Sequence, residues 1–301
     1  MFFCRSKKIN GEVCTTSIEI MSIVSKFNEH ILSNDHLDYY YGFSGDISSI
    51  DQIDISKIKQ SYQGILAGKE VNLSEKRAVT HHHLRTLSSD YKRLTEFIHG
   101  VHSSKRFTAV CHIGIGGSCS GVKFVSHALN TWLKNQFLPL LFISSHDDDH
   151  IQQILSQLDI STTLFVIVSK SGGTIEVEKI MDLVIASQKN PQFLKEQCVA
   201  VTMHGSVLDT DDYFERFTFD EGVGGRFSTT SYVGLVSLGV SYGEALIHGF
   251  LSGARLADEH SMLDLDENIA LVQAIIRFFQ QQQFSSLFLV PYGEALMYLP
   301  L

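Results

Sequence analysis

The fold of this chain is decided by the stretch Thr163-Leu-Phe-Val-Ile-Val-Ser-Lys-Ser-Gly-Gly-Thr-Ile-Glu-Val177. Its first part, from Leu164 to Val168, is an unbroken apolar run rich in β-branched residues, which is typical of a strand buried on both faces. The run ends abruptly in polar residues and glycines, and an amphipathic helix is predicted over 174–183. Strand, glycine turn and helix in this order predict one unit of an α/β fold.

The glycine turn in this stretch has the features of an anion site. Backbone N–H groups at a helix N-terminus have no partner within the helix and carry partial positive charge, so a phosphate fits there. Ser169, Ser171 and Thr174 would add hydroxyl donors, and the two glycines let the backbone approach a ligand closely. The alternative is an ordinary strand-to-helix turn in which Thr174 caps the helix. Both interpretations are open at this point.

Apolar runs on either side of this stretch predict further strands, which alternate with predicted helices. The strands are at 107–115, 138–144, 198–203 and 217–223, and the helices are near 121–133 and 151–158. This alternation predicts a doubly wound parallel sheet with helices on both faces, which is a three-layer α/β/α domain. Ligands of such sheets bind beyond the C-terminal ends of the strands. The turns 114–118 and 169–174 both follow strands directly, so we expect them to meet in one crevice.

The chain divides into three predicted parts. Residues 1–105 form a mainly helical N-terminal segment, residues 106–250 form the α/β domain, and residues 251–301 begin a second, incomplete α/β unit. The elements predicted outside the α/β domain are helices at 16–32, 54–66, 72–85 and 264–279, a strand at 285–290 and a helix after Pro291.

Composition and charge exclude several classes of partner. The chain has 24 Lys and Arg against 33 Asp and Glu, a net charge of −9, and no basic block, so neither nucleic acid nor an anionic membrane is an expected partner. No apolar run approaches membrane-spanning length. The five cysteines are scattered and form no CxxC pair, which predicts free thiols in a reducing compartment. We therefore expect a cytoplasmic protein.

Two histidine-containing motifs suggest metal sites at first sight. Consecutive helical residues point about 100° apart, so His81, His82 and His83 cannot all reach one ion, and a structural role is favoured. The motif His146-Asp-Asp-Asp-His150 follows a predicted strand, and its acids are expected to lie at the start of the next helix. No metal site is therefore predicted.

The turn Gly114-Ile-Gly-Gly-Ser118 is an incomplete nucleotide-binding fingerprint, because Cys119 stands where the third glycine should be. A contact with a sugar or phosphate is the better interpretation, and no nucleotide cofactor is predicted. Cys119 lies at a predicted helix start, which would lower its pKa. Because no base partner is identified, an inert cysteine is favoured.

A second glycine-rich segment is Glu221-Gly-Val-Gly-Gly-Arg-Phe-Ser228. Its glycines allow close backbone approach just before Arg226. The permanent charge and fixed donor geometry of an arginine suit it to stabilise an anionic intermediate. The alternative is a turn followed by a surface arginine.

Together these segments resemble the glucose-6-phosphate isomerase family. The turn Ile113-Gly-Ile-Gly-Gly-Ser118 is similar to the family's sugar-binding turn, Ser169-Lys-Ser-Gly-Gly-Thr174 to its phosphate loop, and Glu221 to Ser228 to its Gly-Gly-Arg signature. The segment Asn72 to Arg85 resembles its Asn-x-[Ser/Thr]-Glu-x-Arg-Ala-Val motif, and Pro291-Tyr292 a later Pro-Tyr step. The matches follow the family's order from about residue 65 onward.

The resemblance implies a sugar-isomerase fold that converts glucose 6-phosphate reversibly to fructose 6-phosphate, without metal or nucleotide. By position, Ser169, Ser171 and Thr174 would hold the phosphate of this hexose phosphate, with Lys170 in the same loop. The resemblance also implies a homodimer whose sites use both subunits.

For the sugar itself, the resemblance implies contacts from Gly117 and Ser118. Arg226 would stabilise the cis-enediolate formed as a proton moves between C2 and C1. Two departures stand out: Gly173 replaces a residue that is usually threonine, and the family's Glu-Ser-x-Gly-Lys segment, which carries the base, does not occur in this sequence. We therefore expect a fragment, a frameshift product or half of a split enzyme, with little turnover alone. The alternative is a non-catalytic sugar-phosphate-binding protein of the same fold.

Overall fold

The computed structural model describes residues 2–3, 31–33, 38–40, 53–70, 76–86, 90–133, 136–265, 267–282, 284–287, 289, 291 and 293–299. The chain forms two compact units. The smaller unit contains residues 1–63 and 256–288, and the larger unit contains residues 64–255 and 289–301. The predicted three-part division at residues 105 and 250 stays a prediction.

The strands and helices are numbered in chain order. The strands are β1 (Phe2–Phe3), β2 (Ile31–Ser33), β3 (Asp38–Tyr40), β4 (Ala109–Ile113), β5 (Leu140–Ile143), β6 (Thr163–Ser169), β7 (Cys198–Met203) and β8 (Glu215–Phe219). The helices are α1 (Ile55–Leu66), α2 (Asp90–Ser104), α3 (Ser120–Trp132), α4 (Asp148–Leu155), α5 (Ile175–Ala186), α6 (Phe193–Gln197), α7 (Tyr232–Tyr242), α8 (Glu244–His260) and α9 (Ile269–Gln280).

The smaller unit contains an antiparallel sheet in the order β1-β3-β2. It also contains a small apolar core, in which one face of α9 and Leu265 pack with Ile53 and Ile55. Asn268 caps α9 because its side chain accepts a hydrogen bond from the Leu271 N–H at 2.9 Å. The predicted helices at 54–66 and 264–279 are confirmed, although α9 begins five residues late, at Ile269.

The larger unit is built on a five-stranded, fully parallel sheet in the order β5-β4-β6-β7-β8. From β4 the chain moves outward to β5, returns to the other side of β4, and continues outward through β6, β7 and β8. The strand order therefore reverses between β4 and β6, which makes that position the topological switch point. The predicted doubly wound sheet is confirmed, although β8 ends at Phe219, earlier than the predicted 217–223.

Both faces of the sheet are covered, and β6 shows how the sequence achieves this. Its residues are fully buried, and its side chains alternate between two apolar clusters. Leu164, Val166 and Val168 pack with α2, α7 and α8, whereas Phe165 and Ile167 pack with α4, α5 and α6. Burial on both sides explains why this strand reads as a continuous apolar run and not as an alternating one.

Helix α7 lies in the apolar core of the larger unit. Every residue from Val233 to Tyr242 is buried, and a helix that is apolar all round is stable only inside a protein. Ser231 caps this helix by accepting a hydrogen bond from the Val233 N–H at 3.2 Å. The start of α7 is therefore fixed directly after the glycine-rich segment that contains Arg226.

Three predicted elements are wrong where the structure describes them. Ile31 and Leu32 are in a strand, not the predicted helix 16–32, whose residues 16–30 lie outside the described part. Residues 76–85 contain only the 3-10 turn His83–Arg85, and Lys76 has a φ of 48°, outside the α-helical region. Residues 72–75 lie outside the described part. Residues 285–287 and 289 are not in a strand.

The helix predicted after Pro291 is not observed among the described residues. In the described part of this segment the helical content is one 3-10 turn, Glu294–Leu296. This turn packs on α3, where the His127 Nε2 lies 2.9 Å from the Glu294 carbonyl oxygen. None of the described helices has both the length and the apolar character needed to cross a membrane.

Candidate functional site

The two predicted ligand-binding turns leave the sheet at its topological switch point. The turn with Gly116–Ser118 follows β4, and the turn 169–174 follows β6, the adjacent parallel strand. Because the carboxyl ends of parallel strands lie at one edge, the two turns open on the same side of the sheet. The strand order thus places the two turns at the same edge of the sheet, whereas no described cavity is lined by both of them, so the single crevice stays a prediction.

The hydroxyl loop, which we define as residues 169–174, leads from β6 into α5. Ser169 is buried and its Oγ lies 2.8 Å from Thr174 Oγ1, so the two side chains close the loop. Thr174 occupies the N-cap position of α5, but its side chain makes no capping hydrogen bond. Ser171 is exposed, and its Oγ accepts a hydrogen bond from the Gly173 N–H at 3.3 Å. The simple capping role considered for Thr174 is therefore not observed.

Gly172 fits the loop closely against the chain that follows β7. Its φ is +76°, and a Cβ at this position would lie 2.9 Å from the Val207 backbone nitrogen. Thr202 supports the same region, because its Oγ1 donates to the Ser169 carbonyl at 2.7 Å. Asp209 accepts a hydrogen bond from the Gly205 N–H at 2.7 Å, and this bond is the main cause of its lowered pKa. The segment after β7, against which the hydroxyl loop packs, is thus held in place by its own hydrogen bonds.

His112 in β4 holds the first glycine turn. The side chain is fully buried, with Nε2 2.7 Å from the Ser118 carbonyl oxygen and Nδ1 2.8 Å from Ser237 Oγ. Burial lowers its pKa to about 4, against the partly opposing hydrogen bond to Ser118. The neutral ring therefore donates from Nε2 to Ser118 and accepts at Nδ1 from the Ser237 hydroxyl. His112 was not predicted as a site residue, although a single histidine inside an apolar strand was a usable signal.

The first glycine turn contacts the arginine segment directly. A Cβ at Gly117 would lie 2.7 Å from the carbonyl carbon of Gly225. Ser228 joins the two turns, because its Oγ lies 3.0 Å from the Gly117 carbonyl oxygen and 2.8 Å from that of Gly225. The glycines at these positions therefore permit an approach that side chains would block.

Arg226 is exposed and lines two cavities beside this contact. One, of about 240 Å³, is also lined by Gly117, Gly121 and Tyr298. The other, of about 170 Å³, is also lined by Gly117 and Arg77. Neither Arg77 nor Tyr298 was predicted as a site residue; Arg77 had a signal in the Asn72 to Arg85 motif, whereas Tyr298 had none.

A larger cavity, of about 620 Å³, lies elsewhere in the larger unit. It is lined by residues that include Tyr91, Arg93, Asp220 and Tyr232. None of the predicted site residues lines it. The predicted site residues therefore lie beside two smaller cavities and not at this larger one.

Lys170 links the hydroxyl loop to the arginine segment. Its Nζ donates to the carbonyl oxygens of Glu221 at 2.6 Å and Val223 at 3.0 Å. The predicted site residues thus lie in two groups joined by this side chain. The first group is the hydroxyl loop with Ser169, Lys170, Ser171 and Thr174, and the second is Gly117, Ser118 and Arg226. The hydroxyl loop lines neither of the cavities beside Arg226.

The histidine motifs take part in packing and capping. The His81 ring stacks on Phe227, with centroids 4.4 Å apart, and the His82 ring contacts both neighbouring histidines. In the motif 146–150, Asp147 caps α4 by accepting the Asp149 N–H, as the predicted helix-start role requires. The described residues contain no group of three or more His, Cys, Asp or Glu side chains arranged to hold a metal.

Cys119 has the inert character that was favoured from its sequence context. The residue is buried, and burial raises the pKa of its thiol to about 11. The thiol is therefore protonated at neutral pH and is a poor nucleophile.

Comparison with known proteins gives one consistent result. A family model described as Phosphoglucose isomerase matches residues 47–301. The glucose-6-phosphate isomerase of Borreliella afzelii (strain PKo) is 30% identical over 314 residues, covering 93% of this chain and 58% of that protein. The enzyme of the same name from Treponema denticola is 32% identical over 277 residues, covering 82% of this chain and 52% of that protein. The chain spans a little over half the length of these curated relatives.

Solved structures agree with the sequence comparison. A crystal structure of a glucose-6-phosphate isomerase from Chlamydia trachomatis superposes with a TM-score of 0.74 at 27% identity, covering 85% of this chain and 55% of that one. A hypothetical protein from Thermus thermophilus shares the fold, with a TM-score of 0.65 at 23% identity over 81% of this chain and 57% of that one. With the family model matched over most of its length, this chain belongs to the phosphoglucose isomerase family.

Proposed function

We propose that this chain forms the sugar-phosphate-binding part of a glucose-6-phosphate isomerase, which interconverts glucose 6-phosphate and fructose 6-phosphate. The observation that carries the proposal is the contact of Gly117 with Gly225, because it brings Arg226 beside the turn predicted to hold the sugar. Family membership and the position of both turns at the switch point support it.

The phosphate would bind at the hydroxyl loop. The N-terminal N–H groups of α5 and the hydroxyls of Ser171 and Thr174 are donors that suit a dianion. Ser169, which is buried, would contribute mainly by fixing Thr174 through their 2.8 Å contact. Lys170 belongs to the same loop, and its side chain is considered separately below. The chain is acidic as a whole, so these local donors would have to supply the affinity.

The sugar would lie between Gly117, Ser118 and Arg226. In the proposed reaction a base removes the proton from C2 of the open-chain aldose, and the C–H electron pair forms the C1–C2 double bond of the cis-enediolate while the carbonyl electron pair moves onto O1. The hydroxyl proton then passes from O2 to O1, and the base delivers a proton to C1, which gives the ketose. The negative charge of the enediolate would be stabilised by the Arg226 guanidinium. The transfer moves a proton and electrons between adjacent carbons of one molecule, so the proposal requires no metal and no redox cofactor.

A general base is the part of this reaction that the proposed residues do not supply. The family's Glu-Ser-x-Gly-Lys segment does not occur in the sequence. Among the described residues, no Asp, Glu or His side chain lines either of the two cavities beside Arg226. Because a positioned base contributes about a hundredfold to ten-thousandfold in rate, this observation favours a second candidate, a non-catalytic sugar-phosphate-binding protein of the same fold.

The resemblance also leads us to propose a homodimer, a cytoplasmic location and no nucleic-acid partner. The absence of basic blocks and the net charge of −9 support the last point. Sedimentation equilibrium would test the homodimer, for which we expect a molecular mass twice the 33.7 kDa of one chain.

Calorimetric titration tests phosphate recognition. Glucose 6-phosphate should bind, glucose without phosphate should bind far more weakly, and the double variant Ser171→Ala, Thr174→Val should lose about tenfold or more in affinity. Ser156→Ala, which removes an exposed hydroxyl directly after α4, is the matched control and should bind normally.

A proton-exchange experiment then separates the two candidates. In D₂O, abstraction of the C2 proton followed by return of a solvent deuteron leaves deuterium at C1 or C2, so a chain that isomerises even slowly should incorporate deuterium faster than buffer alone, and Arg226→Gln should reduce the incorporation. Binding without exchange would support the binding protein. Absence of hexose-phosphate binding would overturn both.

A further inference from the structure

We propose that the Lys170 side chain is a positioning residue that ties the hydroxyl loop to the arginine segment, so that phosphate binding at the loop fixes Arg226 for the reaction. This inference rests on the function proposed above. It assigns the ammonium group to the backbone of Glu221 and Val223 and not to the phosphate.

The geometry of the ammonium group carries the inference. Lys170 Nζ lies 2.6 Å from the Glu221 carbonyl oxygen and 3.0 Å from the Val223 carbonyl oxygen, so two of its three protons are directed at the arginine segment. Hydrogen bonds from a charged donor are short and about twice as strong as neutral ones. They join segments that lie 51 and 53 residues apart in sequence.

Each end of this link is fixed by its surroundings. At the loop end, Ser169 is buried, and the Lys170 carbonyl oxygen accepts a hydrogen bond from the Met203 N–H at 3.0 Å. At the other end, Val223 is only 1% exposed. Arg226 follows three residues later, with Gly224 and Gly225 between them. The glycines leave the backbone free to turn, so the fixed carbonyls at 221 and 223 supply the constraint that the glycines do not.

Two kinds of ligand should therefore respond differently to the loss of the Lys170 ammonium group. A ligand that is only a phosphate would need the hydroxyl loop, whereas a ligand with negative charge at the reacting carbons would also need Arg226 in position. Removal of the ammonium group should therefore weaken the second kind of ligand far more than the first.

Two probes separate these roles by calorimetry. Inorganic phosphate reports on the loop, and a five-carbon aldonic acid phosphate, whose carboxylate imitates the enediolate, reports on the loop and Arg226 together. We expect Lys170→Met to reduce affinity for the aldonic acid phosphate about tenfold and to change affinity for inorganic phosphate less than about twofold. Lys179→Met removes an exposed lysine from α5 and should change neither.

A double-mutant cycle tests whether Lys170 acts through Arg226. If it does, Lys170→Met should have almost no further effect on aldonic acid phosphate binding once Arg226→Gln is present. Equal loss of both probes in Lys170→Met, or additive effects in the cycle, would overturn the inference, because both outcomes indicate that the ammonium contacts the ligand directly.

Hydrogen exchange provides a readout that needs no ligand. Lys170→Met should speed amide exchange at residues 222–226, and Lys179→Met should not. Unchanged exchange at residues 222–226 would overturn the positioning role. If the wild-type chain bound neither probe, the proposed function would fail, and the link itself would still be judged by this exchange measurement.

Discussion

Gly117 and Gly225 are in backbone contact, and the contact is asymmetric. A Cβ on Gly117 would lie 2.7 Å from the carbonyl carbon and oxygen of Gly225, whereas a Cβ on Gly225 would approach the Cα of Gly117 only to 3.8 Å. The first distance is forbidden and the second is an ordinary van der Waals contact. The turn predicted to hold the sugar therefore approaches Arg226 only because residue 117 has no side chain.

This asymmetry predicts different outcomes for two alanine substitutions. Gly117→Ala should force the turns apart, cost about 1–3 kcal/mol of unfolding free energy and weaken hexose-phosphate binding, because the blocking atoms belong to the backbone. Gly225→Ala should be tolerated in the described structure. Urea denaturation and calorimetry measure both effects. Equal behaviour of the two variants would show that the turns do not meet as described.

Alanine substitutions at the two glycines of the hydroxyl loop should also have different effects on stability. Gly172→Ala places a side chain at a φ of +76° and 2.9 Å from the Val207 nitrogen, so it should destabilise the protein by about 1–3 kcal/mol. At Gly173 a Cβ would meet only Glu178 Oε1, at 4.0 Å, so Gly173→Ala should fold normally. Thermal unfolding distinguishes the two, and a greater loss at Gly173 would contradict the loop conformation.

The space at Gly173 also permits a substitution that should increase phosphate affinity. The family resemblance of the loop implies threonine at this position, and Gly173→Thr would add a hydroxyl beside the proposed phosphate. We expect tighter binding of inorganic phosphate to Gly173→Thr than to Gly173→Ala, measured by calorimetry. Weaker binding to the threonine variant would place the phosphate elsewhere.

His112 makes the stability depend on pH. Its pKa is lowered from 6.5 to about 4, so between these values the unfolded chain binds a proton that the folded chain does not. The stabilisation is therefore complete above pH 6.5 and is lost as the pH falls toward 4, by at most about 1.4 kcal/mol per pH unit. Urea denaturation at about pH 7 and about pH 5, on either side of the ordinary histidine pKa, should show a smaller difference for His112→Gln than for the wild type.

A direct NMR titration supports this test even if the variant folds poorly. The His112 ring of the wild-type protein should remain neutral about one pH unit below the ordinary histidine pKa, with its Nε2 protonated toward Ser118 and its Nδ1 accepting from Ser237. A ring that titrates near the ordinary value of 6.5 would contradict its burial between these partners.

The buried cysteines predict slow thiol chemistry. Cys111, Cys119 and Cys198 are buried, and burial raises the pKa of each thiol. Native protein treated with a thiol reagent and mapped by mass spectrometry should therefore carry little label at these positions, and unfolded protein should carry full label. Rapid native labelling at Cys119 would restore the hypothesis of an activated thiol.

The central sheet could be predicted from sequence because its residues are determined locally. The run 163–168 is apolar and β-branched throughout most of its length, and it must be buried on both faces, so its strand and the following turn were identified correctly. The strand order was not readable, but alternation with helices was enough to predict a doubly wound sheet. The failures occurred where long-range packing decides the conformation: a helical pattern at 76–85 is overridden by packing of Thr80 on Gly222 and His81 on Phe227.

The candidate site was predictable in its parts but not in its connections. Hydroxyls, glycines and Arg226 were chosen because of their chemistry and their position after strands. The contact of Gly117 with Gly225 and the hydrogen bond from Lys170 to Val223 join residues that are 53 or more positions apart in the sequence. The pairing of His112 with Ser237 spans 125 positions. No pattern in a single sequence carries such pairings, which arise only when the chain folds.

The most direct test of the account is a crystal structure of the protein with glucose 6-phosphate. We expect the phosphorus within about 4.5 Å of the Ser171 and Thr174 hydroxyl oxygens, the sum of a P–O bond and a hydrogen bond, with C1 and C2 of the sugar facing Arg226. A phosphorus atom bound away from the hydroxyl loop, in the cavity beside Tyr91 or on the surface, would contradict it.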